Sequence, residues 1–181
     1  EWKSQVFDPL RAQGIDAFYM ADYMQGDNSY SVADYMNVFD GMHSYNPSIY
    51  RDSIPYQLSS NSVATKTYSL LNDPNAPRKL WMGTVVPGFD DSKIRSPGSV
   101  ISRNGGNFYR SMWDANLASN PDWVMVTTWN DYGENTHIES STNYGTDYLD
   151  LTREYAARFI AEEPVPRPSL SLTQQQAYWA S

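Results

Sequence analysis

Cysteine is absent from these 181 residues, which excludes disulfide staples and thiolate metal sites. It does not fix a compartment, and a secreted or extracytoplasmic enzyme is the expectation. Histidine is nearly as scarce, and neither His43 nor His137 stands at zinc-binding spacing, so both read as hydrogen-bonding residues and no metal is expected. No stretch of about eighteen apolar residues occurs, so no membrane span is expected. Lys and Arg number 13 against 21 Asp and Glu, giving a net charge of -8 and a pI near 4.6. Without a basic cluster there is nothing to grip nucleic acid phosphates. The GxxxxGK[ST] phosphate loop and the G-x-S-x-G nucleophile elbow are missing as well. Asn104-Gly105-Gly106-Asn107 reads as a loop and helix N-cap, and no cofactor is expected.

Large aromatics are what the chain has in quantity, with 14 Tyr and 6 Trp. Such rings pack against sugars, and they also build ordinary cores. Taken in order, the chain alternates between two patterns. Residues 8–14 read as a short helix, with Asp8 accepting the first free N–H groups, Pro9 in the first turn and Gly14 in the left-handed position past the end. Residues 15–19 have strand composition. A turn of helix at 31–36 precedes a strand at 38–45, stopped by Asn46-Pro47. Residues 59–71 carry apolar side chains at helical spacing, and residues 79–89 form a third strand. Phe108, Tyr109, Met112, Trp113 and Leu117 make an apolar stripe on a helix within 104–120. A fourth strand begins at Trp123, and residues 147–162 place Tyr148, Leu151, Tyr155 and Phe159 on one helical face.

This βαβαβαβα order predicts a parallel sheet covered by helices. A complete (β/α)8 barrel takes about 250 residues. The expected fold is therefore α/β, the carboxyl-terminal half of a TIM-type barrel with roughly four βα units. It would occupy residues 1–163 and be completed by further polypeptide, continuous with it or paired to it. The competing expectation is an open doubly wound sheet. Pro164, Pro166 and Pro168 mark residues 164–181 as a linker or the start of a following domain.

The most informative stretch is WVMVTTWNDYGENTHIESSTNYG, from Trp123 to Gly145. Its opening run is β-branched, aromatic or apolar, as in a strand buried on both faces. Asn130, Asp131, Tyr132, Gly133 and Glu134 then leave the strand together. The loop after a parallel strand is where α/β barrels keep their active sites. Asp131 and Glu134 are the candidate catalytic pair, since glycoside hydrolysis needs one acid to protonate the departing oxygen and a second carboxylate on the other side. Trp129, Asn130, Tyr132, His137 and Glu139 surround them in sequence, and Tyr45, His43 and Asp90 lie at other strand ends; these eight are the candidate substrate-binding residues. A plain surface turn with Glu134 paired to a cation would use the same letters.

The sequence TTWNDYGENTHIE, with Tyr144-Gly145 and Tyr148-Leu149 behind it, resembles the S/T-x-N-E-W-x-E-G-T-x-I-E signature of glycoside hydrolase family 99, the endo-α-mannosidases and their bacterial relatives. VPGFDDSKIR at residues 86–95 is similar to that family's P-G-Y-x-D-T-x-I-R segment, and FDGMHSY at 39–45 resembles its F-D-G-x-Y-T-Y strand. WNDYGE is also similar to the W-N-D-Y-G-E-S motif of family 71, the fungal α-1,3-glucanases. The family 99 resemblance implies that Glu134 is the general acid/base. It implies that Asp131 stands where a Glu acts on the sugar 2-hydroxyl; Asp is one methylene shorter, and His43 replaces a Tyr of the same pattern.

Two classes of function are compatible with these residues. One is a glycoside hydrolase on α-linked oligosaccharides or polysaccharides, endo-α-mannosidase-like or of the α-1,3-glucanase type. The other is a non-catalytic carbohydrate-binding barrel that keeps the rings and does no chemistry.

Overall fold

The structure, a computed structural model, describes residues 1–15, 17–22, 34–35, 38–43, 45, 79–118 and 121–161. The expected helix at 59–71, most of the turn at 31–36 and the Pro-rich segment 164–181 lie outside the described residues.

The chain opens with a π-helical turn, Lys3–Phe7, that runs directly into α1, Asp8–Ala12. Pro9 sits in the first turn as expected, but Asp8 does not cap α1: its carboxylate takes Lys3 Nζ at 2.9 Å, and the turn before it already supplies the helical backbone. Gly14 adopts φ 77, the left-handed geometry that ends the helix.

The main sheet has four parallel strands: β1 (Met20–Asp22), β2 (Gly41–His43), β3 (Leu80–Val85) and β6 (Trp123–Val126). They are hydrogen-bonded in the order β1-β2-β3-β6. No strand is inserted out of sequence, so these four lack the reversal of order that defines a doubly wound sheet. Between β3 and β6 in the chain lies an antiparallel pair, β4 (Phe89–Asp90) and β5 (Val100–Ile101), which the sequence pattern did not signal because each has only two residues.

Each strand is shorter than its apolar run. β1 contains none of the expected strand residues 15–19: it begins at Met20, directly after them, and Phe18, 68% exposed, lies outside it. Ladder length is set by the partner: Tyr19 N donates to Asp40 Oδ2 at 2.9 Å, and the ladder proper begins where Met20 meets Gly41. β6 departs from expectation in burial. Trp123 is 42% exposed and the rest of the strand is only half-buried, because β6 is an edge strand among the described residues.

β3 is the centre of the sheet, with Trp81 and Val85 fully enclosed. Helix α2 (Asn107–Ala118), preceded by a short 3₁₀ turn, packs on it. Its register is fixed by Asn116, whose Nδ2 donates to Thr84 O at 3.0 Å and to Met112 O at 2.8 Å. The amide lies over Gly83, where a Cβ would stand 1.8 Å from Asn116 Oδ1. Helix α3 (Asp147–Ala161) lies against α2 through the stacked Trp113 and Tyr155 rings, 5.6 Å apart. The apolar stripes expected on both helices are the ones that meet: Tyr109, Met112, Trp113, Tyr148, Leu151 and Tyr155 share a core with Val85, Val86 and Ile138. This core clamps the chain leaving β3 and β6, and it thereby holds both strand-end loops.

Candidate functional site

Beyond Val126 the ladder ends and a compact loop begins. Thr128 Oγ1 receives the Asp131 N–H at 3.0 Å and contacts Thr136 Oγ1 at 2.8 Å, closing the loop across its base. Thr128 N donates to Thr136 O, and Glu139 N donates to Trp129 O at 2.9 Å. Asp131 Oδ1 accepts the Glu134 N–H at 2.9 Å, so the three-residue spacing turns helically here, with the first carboxylate capping the second residue's backbone. Asn135 has φ 52, in the left-handed region that Asn tolerates better than most residues, and this turns the chain back toward the sheet.

The loop is tied to the strand-end segment after β3. Asp90 N donates to Glu134 O at 2.8 Å. Arg95 Nη1 lies 2.6 Å from Glu134 Oε1 and 2.8 Å from Asp91 Oδ2. Asp91 is buried and also accepts the Ser99 N–H, and these partners, Arg95 foremost, hold its pKa below the usual carboxylate range. Asp90 Oδ1 accepts from Ser92 Oγ and from the Ser92 N–H, which lowers its pKa too. Asp90 therefore stands beside Glu134 by its backbone, while its carboxylate is spent on its own turn.

On the other flank, Tyr132 Oη donates to Glu139 Oε2 at 2.6 Å, and its ring lies 4.3 Å from the His137 ring. His137 is only 4% exposed. It is a buried ring between Tyr132 and Tyr144. Burial, with the Arg103 charge second, lowers its pKa. Trp129 is 54% exposed and Tyr132 50%, leaving aromatic surface free beside the acids. Asn130 is exposed at the tip and accepts the Tyr132 N–H through its carbonyl.

At the ends of β1 and β2, Tyr45 N donates to Asp22 Oδ1 at 2.9 Å, and His43 Nδ1 lies 3.8 Å from the same oxygen. Burial lowers the His43 pKa, and Asp22 partly offsets it. Thr127 Oγ1 donates to Tyr45 O at 3.3 Å, so the β2 and β6 ends touch. All four strand ends therefore contribute to one end of the sheet. Two clefts among the described residues, of about 870 and 420 Å³, are lined by neither Asp131 nor Glu134. The pair lies in the loop at the carboxyl end of β6, and both residues are half-buried.

Sequence reasoning overlooked Arg95 and Arg103. Arg95 was visible as the last letter of VPGFDDSKIR, but only folding brings it to Glu134. Arg103 left no signal, being a single cation in a glycine-rich loop.

A family model described as "Domain of unknown function (DUF5010)" matches residues 61–169. The ascus wall endo-1,3-alpha-glucanase of Schizosaccharomyces pombe is 28% identical over 148 residues, 81% of this chain and 31% of its own length. The human glycoprotein endo-alpha-1,2-mannosidase-like protein is 28% identical over 141 residues, 69% of this chain and 29% of its own. The chain thus spans about a third of the length of these relatives. The structure of the GH99 endo-alpha-mannosidase from Bacteroides thetaiotaomicron superposes with a TM-score of 0.59 at 18% identity, over 81% of this chain and 45% of that one. Both resemblances drawn from the motifs are thereby supported, and the fold is similar to about half of that enzyme. With its family model matching well over half of the sequence, this chain belongs to the DUF5010 family.

Proposed function

We propose that the chain is part of a glycoside hydrolase that acts on α-linked glycans, with Glu134 as general acid/base and Asp131 as its partner. The observation that carries this reading is the turn after β6. It holds the two acids three residues apart at the carboxyl end of a parallel strand and leaves Trp129 and Tyr132 half-exposed beside them; the Arg95–Glu134 ion pair is what a plain surface turn would also show, so it does not carry the reading. In the reaction, Glu134 gives its proton to the departing glycosidic oxygen and later takes one from the incoming water, while Asp131 works from the other side. The exposed rings supply flat apolar faces for sugar C–H groups.

The four sequentially ordered parallel strands support the carboxyl-terminal half of a (β/α)8 barrel over residues 1–163. Residues 164–181 would then link it to a further domain, and the carboxyl end of the sheet becomes a cleft when the other strands close the barrel. Asp131 in place of a Glu favours the α-1,3-glucanase type over the endo-α-mannosidase type, because the shorter side chain sits about 1 Å farther back, far enough to matter in a positioned proton transfer. His43, Tyr45, Asp90, His137 and Glu139 serve this site as binding or supporting residues.

Glu134→Gln in the native polypeptide carrying this chain tests the reading. Hydrolysis of soluble α-1,3-glucan and α-mannosyl oligosaccharides should fall at least ~100-fold, with oligosaccharide binding retained. Undiminished hydrolysis in Glu134→Gln would remove Glu134 from the acid/base role, and no hydrolysis in the parent protein alongside retained sugar binding would replace this reading with the non-catalytic carbohydrate-binding one.

A further inference from the structure

We propose that Arg103, which lies just ahead of α2, is a positioning residue for the Glu134 loop, an inference that rests on the reading of Glu134 as general acid/base. Its side chain reaches the loop from a separate segment and is 6% exposed. A single guanidinium nitrogen, Nη2, donates to Asn135 O and to His137 O, both at 2.8 Å. Asn135 is the residue directly after Glu134, and it carries the left-handed turn. With Glu134 O already held by Asp90 N, the carbonyls on both sides of that turn are fixed from outside the loop. The direction in which the Glu134 side chain leaves the backbone is fixed with them.

The cation is not balanced by an acid among the described residues. It lies between two rings instead, 4.2 Å from the centroids of both Tyr144 and Tyr148. Its aliphatic stem crosses Gly88, where a Cβ would stand 2.5 Å from Arg103 Cγ. Arg103 thus touches the segment after β3, the loop after β6 and the head of α3 at once. Burying a cation without a counter-charge is costly, and an apolar side chain could fill the same space. An apolar residue cannot donate to the two carbonyls, and a lysine ammonium, which could donate to both, lacks the planar guanidinium that lies over the rings and so is not held at a fixed angle to them.

The test is Arg103→Lys in the native polypeptide, with Glu134→Gln made in parallel and hydrolysis of the same soluble α-linked oligosaccharides followed. Displacement of a catalytic group by about 1 Å costs up to ~100-fold in rate. The expected result is a kcat lower by about 10- to 100-fold per folded molecule, with KM within a factor of about three and an unchanged far-UV circular dichroism spectrum. A wild-type kcat in Arg103→Lys, with Glu134→Gln inactive, overturns the positioning role and leaves the reading of Glu134 standing. A fully active Glu134→Gln overturns both. Should Arg103→Lys fail to fold, the second variant is Tyr144→Leu, which removes one of the two rings at a half-buried loop position, compared with Tyr144→Phe, which keeps the ring and loses only the hydroxyl contact with the Asn135 side chain. Tyr144→Leu should show the same loss of kcat at constant KM, and a wild-type kcat there, or an equal loss in Tyr144→Phe, counts against the proposal.

Discussion

Asp131 has two roles within one turn. Its Oδ1 receives the Glu134 N–H, so whatever else the carboxylate does, it also sets the backbone on which its partner sits. Glu134 is held from three directions: by Asp131 at its N–H, by Asp90 at its carbonyl and by Arg95 at its carboxylate. Backbone and side chain are fixed together, which is the precision the proposed proton transfer would need. His137 illustrates a different residue-scale consequence. Its folded pKa is lowered from 6.5, burial contributing most and Arg103 next. The unfolded chain therefore takes up the proton more readily than the folded one. The stabilisation from keeping His137 neutral is complete above about pH 6.5 and is lost as pH falls toward the folded pKa. The melting temperature should accordingly drop between about pH 7 and 5, and His137→Phe should flatten that slope in part, since His43 shifts in the same direction. Identical slopes in the two proteins would show that His137 is not the group responsible.

Among the elements, the contact between β3 and α2 bears most directly on the site. Gly83 is required because Asn116 occupies the space above it and spends both amide protons on Thr84 O and Met112 O. Gly83→Ala must either expel Asn116 or separate helix from strand, and a loss of about 2–4 kcal/mol is expected, read as a lower urea midpoint. A change below about 0.5 kcal/mol would mean that α2 can shift freely on the sheet. The helices were legible in the sequence because their stripes repeat over three or four turns. Strand ends were not: β1 and β6 stop where their neighbours stop, and the two-residue β4 and β5 are too short to carry any periodicity. The site divides along the same line. Asp131, Glu134, Trp129 and Tyr132 were legible because they adjoin a recognisable strand. Arg95 and Arg103 act across 39 and about 32 residues of chain, and no local pattern records that.

At the scale of the whole molecule, the sheet has two outer strands, β1 and β6, among the described residues. β6 leaves Trp123 42% exposed, and Phe18 packs edge-on against it at 6.1 Å without covering it. A parallel edge with aromatic surface beside it is a place where another strand pairs. If residues 1–163 are half of a barrel, the 181-residue chain produced alone should associate, running in light scattering at a mass well above 20.6 kDa. The native polypeptide should bury the same edge within itself. A monomeric, cooperatively unfolding 181-residue protein would point instead to a self-sufficient open sheet.

The sequence by itself determined the last two helices and their apolar faces that form the core, and the strand-end position of the Asp131–Glu134 pair, because each is written in spacings of a few residues. Tertiary structure alone decided which strand is an edge among the described residues, that His137 is enclosed between two tyrosine rings, and that two distant arginines hold the acid loop. Those outcomes depend on what lies across the sheet, and contacts made across tens of residues of chain leave no periodicity for the sequence to show.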